Sequence, residues 1–271
     1  MCRWLGYSGG SIHLDEVIIK PERSIIDQSL HSQLGETTTN GDGFGIGWYD
    51  RPGKPGIYKD ILPAWNDPNL ISLAEQIKSH LFLAHVRATT GTPIQRTNCH
   101  PFQHENWIFV HNGVIRDFDL VKRDLMMQIS PRLFPCIQGS TDSEIMFFLA
   151  ISLGMMDDVK KGVLNMISTI EQVGNKHDIE FPLQMSLGIS NGESLFGFRY
   201  SSERQSRSLF HSDRMEAIKD LAPRAGRFTN DTRALVSEPV GEIKEAWLPV
   251  PESSFIEVHK GDVIIEDLKL D

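Results

Sequence analysis

Short blocks rich in β-branched and aromatic residues occupy Cys2 to Tyr7, Phe44 to Tyr49, Gly56 to Ile61, Leu81 to Arg87 and Trp107 to Val110. Each is bounded by Gly, Pro or Asn, which predicts strands. The apolar spacing then turns helical. Asp67-Pro68 offers an N-cap with Pro at the first helical position, opening a helix over Asn69 to Lys78. Asp117 to Ile129 and Asp157 to about Val173 repeat apolar residues at helical intervals. Between them Thr141-Asp142-Ser143-Glu144 has the form of a capping box, opening an apolar helix to about Met155. Strands return in the last hundred residues. Leu187 to Ser190 and Ser194 to Tyr200 flank Asn191-Gly192, a two-residue hairpin signal. Ser208 to His211, Ala234 to Ser237, Ser254 to Val258 and Val263 to Ile265 complete the set. Strands, then helices, then strands predict an α+β sandwich with helices on sheet faces, not a repeating βαβ fold. The glycines of Gly41 to Gly47 run into a strand, the wrong context for a dinucleotide loop.

Composition narrows the classes. With 40% apolar and 23% charged residues in 271, the chain is of globular type, and disorder and fibrous repeats are excluded. A net charge of −9 argues against a nucleic-acid or membrane-surface binder, which carries a basic footprint. The locally basic stretch Arg199 to Arg233 reads as a solvated face. No apolar run is long enough to span a bilayer and no signal-peptide core opens the chain. Cys2, Cys99 and Cys136 are few, odd in number and far apart, which argues against a disulfide framework and for a reducing cytoplasm.

Four places carry candidate chemistry. Cys2 follows the initiator Met; once Met1 is removed it holds a thiol and a free amine on adjacent atoms, a nucleophile with its own base. The alternative is a small buried residue at the start of a strand. In Trp107 to Val114 an apolar strand delivers Asn112-Gly113, whose side-chain amide and backbone N–H can aim at one developing oxyanion. Asn-Gly is equally a hairpin turn. Arg87 ends the strand Leu83 to Arg87, ahead of Thr89, Thr90 and Gly91, and its guanidinium suits a substrate carboxylate; a surface salt bridge is the other reading. Asp142 can take a substrate ammonium, or simply favour the helix dipole. Asn98 to His104 tempts a metal reading, but its spacings match no common zinc pattern. A Cys99–His100 dyad is disfavoured because neighbours on a strand face opposite ways.

In order, Cys2, the His85-Val-Arg87 strand end, Asn98-Cys-His-Pro-Phe, His111-Asn-Gly and Thr141-Asp-Ser-Glu resemble the class II glutamine amidotransferases, which are N-terminal-nucleophile hydrolases. The resemblance is closest to the stand-alone branch that includes γ-glutamyl hydrolases of thiol metabolism. It extends over the chain, from the Gly-rich stretch Gly41 to Tyr49 to Trp247-Leu-Pro-Val-Pro and Phe255 to Val258. It implies one domain over residues 1–271 with residue 1 removed, and a four-layer αββα sandwich of two mainly antiparallel sheets. It further implies Cys2 as nucleophile, Asn112 and Gly113 as oxyanion hole, Arg87 on the α-carboxylate and Asp142 on the α-ammonium. His100 and Thr89 or Thr90 would be wall residues. The implied activity is hydrolysis of the γ-amide of glutamine through a Cys2 thioester. The alternatives are cleavage of a γ-glutamyl peptide or thiol conjugate, and a silent glutamine-binding or scaffold subunit. Neither metal nor organic cofactor is implied; a separate synthase is a possible partner.

Overall fold

Strand β1 (Arg3–His13) shows how the layers are built. Its Trp4 joins Leu83, Val110, Leu195 and Ile256 in one buried apolar cluster, while Leu5 and Tyr7 join Val17, Ile25 and Leu70 in another. Side chains alternate across a strand, so one cluster fills the space between two sheets and the other lies beneath helices. The computed structural model describes residues 2–31, 39–51, 53–89, 91–212, 228–241 and 247–270.

Among these residues, the first sheet orders β11 (Trp247–Pro249), β9 (Phe210–Ser212), β10 (Arg233–Val236), β1, β4 (Lys78–Val86), β2 (Phe44–Tyr49) and β3 (Gly56–Asp60). The second orders β13 (Asp262–Asp267), β12 (Ser254–His259), β8 (Ser194–Ser201), β7 (Leu183–Ser190), β6 (Trp107–Ile115) and β5 (Phe102–His104). Neighbouring strands run antiparallel throughout. Helices α1 (Asp15–Ile18), α2 (Ile25–Leu30) and α3 (Pro68–Gln76) cover the outer face of the first sheet. Helices α4 (Phe118–Met126), α5 (Asp142–Ser152) and α6 (Val159–Lys176) cover the second. The result is the four-layer αββα sandwich expected.

Several element boundaries differ from expectation, and the reasons are physical. Strand β6 does not stop before Asn112-Gly113; it runs on to Ile115 because β7 offers ladder partners, with Asn112 opposite Ser186 and Gly113 opposite Met185. The turn preference of Asn-Gly therefore loses to cross-strand pairing. The Asn191-Gly192 hairpin takes in Glu193 as well, since Asn191 Oδ1 accepts from the Glu193 and Ser194 N–H groups at 2.9 Å. Only half of the capping box at Thr141 forms: Thr141 Oγ1 accepts from Glu144 N at 3.2 Å. The Glu144 carboxylate turns away to the N–H groups of Gln138 (2.9 Å) and Gly139 (2.6 Å). Helices α1 and α2 and strands β5 and β11 were not foreseen; they are short, and packing rather than periodicity defines them. Within Arg199 to Arg233, residues 213–227 lie outside the described residues, and Arg199 is tied to Val250 O at 2.6 Å. No described helix is long and apolar enough to cross a membrane.

Candidate active site

Three strands bring their polar ends together. In β1 the inward parity is that of Trp4, and Cys2 shares it. In β4 it is that of Leu81 and Leu83, which continues through His85 to Arg87; in β6 it is that of Ile108 and Val110, which continues to Asn112. Register joins the first two, because Trp4 lies opposite His85 and Arg3 opposite Val86. The start of β1 is held firmly. Arg3, buried, pairs with Glu238 at 2.7 Å and donates through Nη1 to the Cys2 carbonyl at 2.9 Å. Trp4 Nε1 crosses to Ser186 Oγ at 3.2 Å, which ties β1 to the strand next to Asn112.

Cys2 is half-buried, and its Sγ donates to the Ala88 carbonyl at 3.5 Å. Burial pushes its thiol pKa up, against the lowering effect of the Ala88 bond. The thiol therefore stays protonated near neutral pH and needs a base to react. No histidine supplies one, for no described imidazole hydrogen-bonds to this sulfur. His100 stacks on His85 with ring centroids 4.0 Å apart and meets Phe102 edge-on at 4.6 Å. Neither His100 ring nitrogen has a hydrogen-bond partner among the described residues, although the residue is buried. His85 bonds through Nε2 to the His111 carbonyl at 3.1 Å. Burial holds His85 down at about 3 and His100 well below its ordinary value. It also lowers His111, against the attraction of Asp142. The Cys99–His100 pair is no dyad: Cys99 Sγ sits against the carbonyls of Asp60 (3.4 Å) and Gln95 (3.6 Å).

Arg87 is only 3% exposed and, among the described residues, pairs with no carboxylate. Its Nη2 donates to Thr92 Oγ1 (2.6 Å), Thr89 Oγ1 (3.2 Å) and Pro93 O (3.4 Å), and its Nη1 to Asp42 O (3.2 Å). Its own N–H reaches Gly43 O at 2.8 Å, where φ is +111° and a Cβ would press into Cys99 Sγ. In place of a surface salt bridge, the buried guanidinium is held, among the described residues, by neutral acceptors. Thr89 is one of those acceptors and is itself fixed by Asp42 Oδ2, which takes the Thr89 N–H at 2.8 Å.

Asp142 opens α5. Its Oδ2 accepts from the Ile115 N–H at 2.9 Å, and Oδ1 from the Ser143 N–H at 2.7 Å and hydroxyl at 3.1 Å. Ser143 Oγ also meets His111 Nδ1 at 2.8 Å. Among the described residues no cation pairs with this carboxylate. Gly113 is required where it stands, because a Cβ there would collide with the Gln184 carbonyl oxygen and His111 Nε2.

One cavity of 390 Å³ is lined by Cys2, Arg87, Thr89, His100, His111, Gly113 and Asp142, together with Thr92, Ser143, Val114, Phe118 and Leu120. That volume falls within the roughly 300–1,000 Å³ of small-molecule sites. Asn112 is not in the lining; it lies between two residues that are, buried, on the inter-sheet face of β6, and its amide makes no side-chain hydrogen bond to a described residue. Thr90 lies outside the described residues. Sequence reasoning missed Thr92, Ser143 and Asp42. A hydroxyl or carboxylate near the motif residues was visible for each, but only folding shows which of them turn toward Arg87 or Asp142. No group of three or more described His, Cys, Asp or Glu residues is arranged to hold a metal ion.

Residues 21–264 match the family described as glutamine amidotransferases, class II. A probable glutamine amidotransferase of Saccharomyces cerevisiae, DUG3, is 31% identical across 99% of this chain and 84% of its own length. The γ-glutamyl-hercynylcysteine sulfoxide hydrolase of Mycolicibacterium smegmatis is 24% identical across 99% of this chain and all of its own. Among solved structures, a glutamine aminotransferase class-II domain protein from Silicibacter pomeroyi superposes with a TM-score of 0.74 at 28% identity, covering 98% of this chain and 99% of that one.

Proposed function

The chain belongs to the class II glutamine amidotransferases, enzymes of the amidotransferase and amidohydrolase kind, and from that premise we propose that it hydrolyses the γ-amide of glutamine through a thioester on Cys2. Removal of Met1 frees the Cys2 amine. An α-amine titrates at about 7.7–8.0 when unperturbed, so near neutral pH it exchanges protons readily. It takes the thiol proton as sulfur attacks the amide carbon. The Asn112 amide and the Gly113 N–H stabilise the oxyanion. The protonated amine then gives its proton to departing ammonia, leaving a γ-glutamyl thioester. Water, deprotonated by the same amine, attacks that thioester and releases glutamate, and the thiol is restored. Arg87 receives the α-carboxylate and Asp142 the α-ammonium; Thr89 and His100 line the walls.

The observation that carries this reading is the buried, carboxylate-free Arg87 in one cavity with Asp142 and Cys2. A substrate bearing both charges gives each group an opposite charge, and one lacking the carboxylate leaves the buried Arg87 guanidinium without one. In this reading residues 1–271 act as a single cytoplasmic domain. Water is the acceptor, unless a separate synthase takes the ammonia.

A second reading keeps the chemistry and enlarges the leaving group. Val114, Phe118 and Leu120 line the same cavity, and the head group of glutamine needs none of them. They suit the amine side of a γ-glutamyl peptide or thiol conjugate, the kind of substrate named for the M. smegmatis relative. Glutamate release across glutamine, γ-glutamyl dipeptides and γ-glutamyl thiol conjugates decides between them. Glutamine with the highest kcat/KM supports the first reading, and a conjugate ahead of it supports the second. Release from none leaves the silent subunit.

A further inference from the structure

The two poles of the cavity sit on different segments. Arg87 and its acceptors Thr89, Thr92 and Pro93 belong to the loop after β4, whereas Asp142 belongs to the start of α5. One side chain bridges these segments. Asn98, wholly buried, donates through Nδ2 to Pro93 O at 2.9 Å, the same carbonyl that receives Arg87 Nη2. It donates also to Ser140 Oγ at 3.2 Å, and its Oδ1 accepts from the Ser140 N–H at 2.9 Å. Ser140 is two residues before Asp142. The amide thus binds an acceptor of the cationic pole with one end and the approach to the anionic pole with both.

The surroundings leave that bridge little slack. The Ser140 N–H, a donor that cannot be reversed, fixes which way the amide faces, and Gln95 Nε2 donates to the same Asn98 Oδ1 at 3.2 Å. Glu144 holds the two residues before Ser140 through their N–H groups, so the segment cannot drift from α5. Gly139 packs directly on the amide: a Cβ there would lie 2.5 Å from Asn98 Oδ1 and 2.8 Å from Thr97 O.

We propose that Asn98 is a positioning residue that sets the distance between Arg87 and Asp142, and so makes the site selective for substrates carrying a carboxylate and an ammonium on one carbon. This rests on the glutamine-directed reading above. Asn98 does not touch the reacting atoms, and its effect is on recognition of the head group. Alanine at position 98 frees both segments, and each pole still binds its own charge but no longer at the spacing of an α-amino acid.

The test compares wild type, Asn98→Ala and Gly139→Ala on three amides: L-glutamine, glutaramate (no ammonium) and 4-aminobutanamide (no carboxylate). Gly139→Ala removes no hydrogen-bonding atom and displaces Ser140 by crowding, so it reads the bridge even where Asn98→Ala folds poorly. In both variants KM for L-glutamine should rise by about tenfold or more, the order expected when a buried hydrogen-bonded bridge is lost, with kcat changed less than about threefold. KM for the two one-headed amides should change by less than about threefold, so that selectivity for glutamine collapses. An active wild type whose variants keep that selectivity, lose kcat alone, or weaken all three amides equally overturns the positioning role. A wild type that hydrolyses no γ-glutamyl amide overturns the functional reading instead.

Discussion

The inter-sheet layer has two ends made from the same strands. At one end β1, β4 and β6 contribute Trp4, Leu83, Ile108 and Val110, all within a few per cent of complete burial and in one cluster with Leu195 and Ile256. At the other they contribute Cys2, His85, Arg87 and Asn112. The apolar end leaves nothing for a ligand to do. Among the described residues, the polar end holds a guanidinium without a carboxylate and an imidazole, His100, whose two nitrogens make no hydrogen bond. Strand pairing is continuous from one end to the other, so the close-packed half fixes the backbone from which the open half presents its groups. Close packing thereby belongs to one stretch of these strands and the proposed recognition to another.

That division predicts opposite outcomes for two truncations. Asn112→Ala should lower kcat on the order of 10²–10³-fold, about 2.7–4 kcal/mol of lost oxyanion stabilisation, with a melting temperature near that of wild type. Leu83→Ala should cost about 2–5 kcal/mol of stability in denaturant unfolding, with kcat for the folded fraction little changed. If Asn112→Ala turns over normally, Asn112 leaves the site; if Leu83→Ala loses kcat as steeply as stability, the two ends are not separate.

Acid sharpens the comparison by a smaller effect. His85, His100 and His111 have pKa values lowered by burial, so the unfolded chain binds protons that the folded chain refuses. Stability is therefore intact above about pH 6.5 and declines as pH falls toward the folded values, by up to about 1.4 kcal/mol per pH unit for each imidazole. Urea unfolding between pH 7 and 4.5 should show this decline, and His85→Gln should make it shallower. An unchanged slope in that variant would mean that His85 does not stay neutral in the fold.

How much of this the sequence disclosed follows from what is local. Strands with β-branched blocks and helices with clear spacing were legible, as was Asp67, whose Oδ1 caps Asn69 N at 2.8 Å as its Asp-Pro context implies. Asn112-Gly113 misled on structure because its turn preference is local, whereas the pairing with Ser186 and Met185 comes from residues more than seventy positions away. Glu144 misled for the same reason, since its better partners are the N–H groups of Gln138 and Gly139. The residues put forward for the site came from motifs and a resemblance. The carboxylate-free burial of Arg87 and the bridge at Asn98 depend on three-dimensional contacts and left no trace in spacing.

The most direct test of the central claim is mass spectrometry of the protein after exposure to a glutamine-mimicking electrophile. The expected result is a mature chain that begins at Cys2, one adduct located on that residue, and protection by excess L-glutamine. A chain that keeps Met1 yet hydrolyses glutamine at full rate, or an adduct on Cys99 or Cys136 in place of Cys2, would contradict it.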